Sequence, residues 1–329
     1  MGDERSQFTR RAVLATGVAA GVAGLTRRVF GQEGNQPLAS RLGRPEWRRS
    51  LRFAHLTDIH VQPERSAAEG FAACLRHVQS ADDAPEFLMT GGDLIMDAFG
   101  ADHDRTKVQW DLFGKVLRDE CSLPVEHCIG NHDVWSFRTR EDNPEHAAKA
   151  VKKWALSEVG LESPYRTFVR GGWRFVVLDS TFPSGTGYTA RLDDEQFEWL
   201  TQTLRQSDPA QPILIVSHIP ILAACAYFDG HNEKTGNWVV PGAWMHIDAR
   251  RIKDLFYKHP NVKAAISGHI HLVDRVEYLG VSYLCHGAVC GGWWKGNCQE
   301  FEPGYALVDL FEDGTVESQY VTYGWTARE

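Results

Sequence analysis

Five short runs rich in apolar residues recur along the chain, at 51–57, 86–90, 123–129, 212–216 and 262–266. Runs of this length and content predict buried strands. Helical periodicity spans 67–80, 103–118, 145–159, 193–206 and 248–258. Asp193 and Asp194 fall in a first helical turn, where acids face the positive end of the helix dipole. Residues 165–169, the Gly171-Gly172 turn and 173–178 predict a hairpin. The tail alternates at 275–279, 281–286, 305–311 and 315–322, with turns at Gly280 and Glu312-Asp313-Gly314. Strand–helix alternation followed by a meander predicts an α/β fold with a mixed sheet.

Each of the five runs is followed by polar residues able to bind a metal. They are Asp58-Ile59-His60, Gly92-Asp93, Gly130-Asn131-His132-Asp133, Ser217-His218 and Gly268-His269-Ile270-His271. Singly, each has an ordinary explanation. Asp93 after two glycines suits a turn, Asn131 suits a left-handed turn position, and any one of 14 histidines suits the surface or a hydrogen-bonded core. Turn chemistry does not account for all five in this order. Strand residues i and i+2 share a face, so Asp58 and His60 are expected to reach one ion, and His269 and His271 one ion or two adjacent ones. Mixed nitrogen and oxygen donors suit manganese, iron or zinc better than calcium or magnesium. A carboxylate can bridge two ions, and a pair about 3.5–4 Å apart can clamp a phosphoryl group and acidify a water. Sites of this kind lie at the carboxyl ends of strands in open α/β sheets.

The motif set resembles that of the calcineurin-like metallophosphoesterases over roughly residues 50 to 320. The resemblance implies a four-layer αββα sandwich, two mixed sheets packed face to face with helices outside. It implies that one metal takes Asp58, His60, Asp93 and His271, and the second takes Asp93, Asn131, His218 and His269. His132 resembles the family's non-ligand histidine, which contacts the phosphate and protonates the leaving oxygen. Asp133 resembles a carboxylate that orients a histidine. The implied reaction is attack of a metal-bridging hydroxide on a small phosphorylated substrate. Leu56-Thr57-Asp58-Ile59-His60, Leu178-Asp179-Ser180 and Leu192-Asp193-x-x-Gln196-x-x-x-Leu200 are most similar to the class III cyclic-nucleotide phosphodiesterase branch, which favours a phosphodiester; a phosphomonoester is the alternative. The sequence departs from that branch in reading Ser217-His218-Ile219-Pro220 and in the longer loop after it. An inactive binding module of this fold would be expected to have lost ligands, and this chain keeps the whole set. Met96 stands where purple acid phosphatases of the tartrate-resistant type carry a tyrosine, which speaks against a mixed-valence iron site.

Charge divides the chain. Residues 1–50 hold nine arginines and four acids, a net of +5; the whole carries −8, which leaves −13 on the rest. An acidic domain argues against an extended nucleic-acid track. Thr9-Arg10-Arg11-Ala12-Val13-Leu14, followed by an uncharged run to Leu25, resembles a twin-arginine export signal. The run is shorter than the roughly 20 residues that span a bilayer. The expected organisation is a signal at 1–32, a linker at 33–50 and the phosphoesterase domain at 51–323. It implies the twin-arginine export machinery as a partner and a periplasmic or extracellular endpoint in a bacterium; no A-x-A site precedes Gln32, so an uncleaved signal could also act as the membrane anchor. The seven cysteines cannot all pair internally, and no C-x-x-C occurs. A disulfide among Cys285, Cys290 and Cys298 is one reading; small buried hydrophobes is the other. Three stretches are candidate substrate rims. One is 180–190. Another is 223–245, with Tyr227, Phe228, His231, Trp238 and Trp244, which reads equally as a flap packed on itself. The third is 291–296, where Lys295 meets a phosphate or sits solvated in a turn.

Overall fold

The apolar runs become the parallel centres of two sheets in the computed structural model, which describes residues 48–135 and 144–328. The expected export signal and most of the linker lie outside the described residues. The first sheet contains β1 (Arg49–Leu56), β2 (Leu88–Gly91) and β3 (Val125–Cys128), all parallel, extended by the antiparallel β12 (Gly304–Phe311) and β13 (Val316–Thr322) in the order β13-β12-β1-β2-β3. The second contains β5 (Trp173–Val177), β8 (Ile213–Val216), β9 (Val262–Ser267) and β11 (Val281–Cys285), mutually parallel, with antiparallel edges β4 (Arg166–Arg170) and β10 (Asp274–Tyr278). Its order is β10-β11-β9-β8-β5-β4.

Period-two alternation decides which side chains meet. Phe53, Met89, Val308 and Leu310 of the first sheet pack with Trp173, Phe175, Leu214, Val216 and Ile266 of the second. Phe87 completes the layer, its ring 5.1 Å from Phe53 and 5.7 Å from Phe175. The intervening residues face outward. Ala54, Leu56 and Leu88 pack beneath α1 (Ala67–Gln79), α2 (His103–Glu120) and α3 (Pro144–Glu158) through Phe71, Leu75, Trp110, Phe113 and Ala155. Val176, Ile213, Ile215 and Val262 pack beneath α4 (Asp194–Gln206) and α5 (Ala249–Tyr257) through Leu200, Leu204, Ile252 and Phe256. The result is the four-layer αββα sandwich.

Local signals set the helix starts. Asp193 and Asp102 cap α4 and α2, accepting from Gln196 N at 2.7 Å and Arg105 N at 2.8 Å. The candidate rim at 180–190 forms a two-stranded ribbon, β6 (Thr181–Ser184) and β7 (Gly187–Ala190), whose Tyr188 ring lies 6.3 Å from His269. All seven cysteines are free and five are buried, so the disulfide reading is not met. Among the described residues no helix is long and apolar enough to cross a membrane.

Candidate metal centre

Strands β1, β2, β3, β8 and β9 end on one edge of the sandwich, and the candidate ligands occupy the turns that follow them. Asp58, His60, Asp93, His269 and His271 have φ of 54°, 46°, 53°, 73° and 62°. Non-glycine residues in this left-handed region carry strain of order 1–3 kcal/mol each and persist only where neighbours over-determine them. The restraints are backbone hydrogen bonds. Asp58 N donates to Gly92 O, His60 N to Asp93 O, Gly268 N to His218 O and Cys290 N to Asp58 O, at 2.9–3.2 Å. Asp58 and His60 therefore converge because the chain is kinked, not because they share a strand face. Close approach also matters at two glycines. A methyl at Gly130 would overlap Asp93 Oδ1, and one at Gly268 would overlap Thr57 Oγ1.

Two groups of donor atoms result. In the first, His271 Nε2 lies 3.3 Å from both His60 Nε2 and Asp58 Oδ1, while His60 Nε2 lies 3.6 Å from Asp93 Oδ2 and 3.9 Å from Asp58 Oδ1. In the second, His218 Nε2 lies 3.2 Å from Asp93 Oδ2, 3.1 Å from Asn131 Oδ1 and 3.2 Å from His269 Nδ1. Asp93 Oδ2 belongs to both. His269 and His271 thus divide between the groups.

The imidazoles are aimed by carbonyls. His218 Nδ1 faces Gly91 O at 2.8 Å, His271 Nδ1 faces Gly291 O at 2.7 Å, and His269 Nε2 faces Ala243 O at 2.9 Å. Each carbonyl fixes the N–H on that nitrogen, which leaves the other nitrogen's lone pair pointing at its neighbours. In the neutral tautomers those lone pairs face one another and the carboxylate oxygens, so a proton or a cation has to stand between them. Asp58 Oδ1 and His60 Nδ1 are buried without a hydrogen-bond partner. With metal–ligand bonds of about 2.1 Å, adjacent donors in a coordination shell lie about 3.0–3.4 Å apart. The donor set fits two cations with nitrogen and oxygen ligands.

Electrostatics agree. Burial opposes charge on Asp58, yet His271 and His218 beside it hold the carboxyl well below its usual range. Burial likewise opposes a charged His218, but Asp93 outweighs it and raises the imidazole to about 9. His269 goes the other way, lowered to about 3 by burial and by His218. The carboxylates thus draw positive charge to His218, while burial keeps His269 neutral.

His132 stands beside the first group, its ring 4.8 Å from His60 and perpendicular to it. Its Nδ1 faces Met96 O at 2.8 Å and lies 3.9 Å from Asp97 Oδ1. Its backbone N donates to Asp93 Oδ1 at 2.8 Å, so the same residue also steadies the shared carboxylate. Asp133 departs from expectation. It accepts from Leu94 N at 2.7 Å, Ile95 N at 3.3 Å and Gly130 N at 2.8 Å, so it holds backbone and not a histidine. Burial, reinforced by Asp93, pushes this carboxyl up to about 7.

Sequence reasoning missed the carbonyls, which no side-chain pattern signals. It also missed Thr57, whose hydroxyl donates to Asp58 Oδ2 at 2.7 Å; the candidate rim at 291–296 does border the site, through Trp293, whose ring lies 4.2 Å from His60 and 4.9 Å from His271. The double tryptophan between glycines was the available signal for the latter. Lys295 is exposed, its backbone closing a turn onto Gly292 O. In the 223–245 loop, Trp238 packs on Tyr227 and Phe228 at 5.5 and 6.1 Å, and the loop reaches the site through the Ala243 carbonyl.

The fold and site define a metal-dependent phosphoric ester hydrolase. The chain belongs to the calcineurin-like phosphoesterase family, whose model matches residues 51–273. It is 24% identical over 284 residues to the 3',5'-cyclic adenosine monophosphate phosphodiesterase CpdA of Escherichia coli, covering 82% of this chain and 88% of that one. It is 26% identical over 282 residues to a 3',5'-cyclic-nucleotide phosphodiesterase of Nostoc, covering 80% and 90%. A dimetal phosphatase from Danio rerio shares the fold, with a TM-score of 0.54 at 16% identity over 84% of this chain and all of that one.

Proposed function

We propose that this protein hydrolyses small phosphodiesters, cyclic nucleotides among them, using two metal ions. Asp58, His60, Asp93 and His271 would hold one ion, and Asp93, Asn131, His218 and His269 the other. The observation that carries the reading is the meeting of two donor groups on one oxygen, Asp93 Oδ2. The phosphodiesterase names of the Escherichia coli and Nostoc relatives support the diester class. Manganese, iron and zinc suit such donors. When bound, the ions supply charge for the phosphoryl oxygens and lower the pKa of a water.

The chain's own residues do the remaining work. Asp93 neutralises charge on both sides and is held in place by His132 N. With Nδ1 committed to Met96 O, His132 Nε2 is the atom that holds a proton for the leaving oxygen. Gly91, Ala243 and Gly291 keep the ligand histidines in the tautomers that offer lone pairs inward. Export by the twin-arginine machinery to a periplasmic or extracellular endpoint belongs to the same reading, supported by Arg10-Arg11 and the uncharged run to Leu25.

The test is hydrolysis of bis-p-nitrophenyl phosphate against p-nitrophenyl phosphate after EDTA, with manganese, iron or zinc added back. Metal-dependent preference for the diester is expected. Preference for the monoester would replace the phosphodiesterase by a phosphatase, and no turnover with metals bound would point to a narrow natural substrate or a binding role.

A further inference from the structure

A bulky residue stands over the first donor group in a backbone conformation that such residues avoid. Trp293 has φ of 61° and Trp294 of 62°. Such geometry persists only where its surroundings impose it. The restraints are visible. Gly292 N donates to Gly296 O at 2.8 Å, Trp294 N to Cys290 O at 2.9 Å and Lys295 N to Gly292 O at 3.0 Å. The two indoles then take different tasks. Trp294 is 1% exposed, and its Nε1 donates to Ile59 O and His60 O at 3.0 Å each, which ties the loop to the backbone carrying His60. Trp293 is left half-buried, its ring 4.2 Å from His60, 4.9 Å from His271 and 5.2 Å from His132. The same loop lends the Gly291 carbonyl to His271.

A tryptophan that served only as filler would be as buried as Trp294, and a surface tryptophan would not need a strained backbone. We propose that Trp293 is the stacking platform for a planar aromatic ring carried by the phosphoester. An indole has a flat, rigid face that takes up planar rings at small conformational cost. Its place against His132 and two ligand histidines sets that face beside the position of the phosphate. The loop therefore couples recognition of the ring to the orientation of His271. The site would select nucleotide and aryl esters over esters of glycerol or of sugars alone. This rests on the two-metal reading, because the phosphate must be held next to the ring.

The experiment is isothermal titration of the metal-loaded full chain with adenosine 5'-monophosphate and with ribose 5-phosphate. The two share sugar and phosphate and differ in the base. Stacking predicts that the nucleotide binds about 5- to 140-fold more tightly. Trp293→Ala should collapse that ratio toward one, and Trp293→Phe should restore most of it. A wild-type protein that does not distinguish the two ligands overturns the proposal. So does a Trp293→Ala variant that weakens both alike, which would make the indole a support of the site. Metal content by mass spectrometry and hydrolysis of p-nitrophenyl esters report separately on the reading beneath. A protein that binds metals and cleaves esters yet ignores the base sinks only the stacking platform; loss of metals and turnover together sinks both.

Discussion

Asp93 is the residue on which both donor groups depend, since its Oδ2 lies 3.6 Å from His60 Nε2 and 3.2 Å from His218 Nε2. Asp93→Asn keeps the shape and removes the charge. It should abolish binding of at least one ion and lower kcat/KM beyond the roughly 100-fold that loss of a supporting residue typically costs. Metal analysis of the purified variant checks the first part. His132→Ala has the opposite signature. It should keep both ions and lose rate by about 10²- to 10⁴-fold on a substrate with a poor leaving group. Full turnover on such a substrate would end the proton-donor role. The side chains of this site were legible because metal and phosphate chemistry restricts the residue types and their order. Their aim was not. Asp58 and His60 meet through left-handed backbone, and the partners of His218, His269 and His271 are carbonyls that any residue could supply.

Elements bring these turns together. The ends of β1 and β2 stay in register beyond the strands, since Asp58, His60 and Val61 donate to Gly92, Asp93 and Leu94. Asp133 clamps the same stretch to the turn after β3. Removing its carboxylate strands three buried N–H groups, each worth about 1–3 kcal/mol when left unpaired. Asp133→Ala should therefore lower unfolding free energy by several kcal/mol in urea and weaken metal binding, while Asp133→Asn should recover part of both. Strands and helices were readable because their faces are buried with periods of 2 and 3.6. The β6–β7 ribbon was not, because its four-residue strands are only half covered and their pairing is set by the ladder itself.

Across the whole molecule, burial of neutral histidines links stability to acid. His127 is lowered from 6.5 to about 4 by burial, with Arg166 adding to it, and His286 is lowered to about 3 by burial. Below pH 6.5 the unfolded chain takes up these protons first. The contribution of these two histidines is thus full above that value and falls as pH drops toward 4. His127 alone should account for about 3 kcal/mol of the loss. Denaturation curves between pH 7 and 4 check this, and His127→Gln should flatten part of the slope. The proposed export would be a property of the full chain as well. Replacing Arg10 and Arg11 by lysine should retain the protein in the cytoplasm, read by cell fractionation, if the twin-arginine route carries it.

The sequence by itself determined the alternation of strands and helices, the candidate ligands in their order, and the contrast between a basic stretch at 1–50 and an acidic remainder. Those are properties of residue type and spacing, and both are local. The resemblance already implied that Asp93 is shared and that His269 and His271 part company; only the tertiary structure decided how these side chains are aimed, that Asp133 holds backbone, and that Trp293 borders His132. Each depends on a left-handed turn, a carbonyl or a loop supplied by a segment far away in the chain. Contacts of that kind are fixed by how two sheets pack, and no local pattern records them.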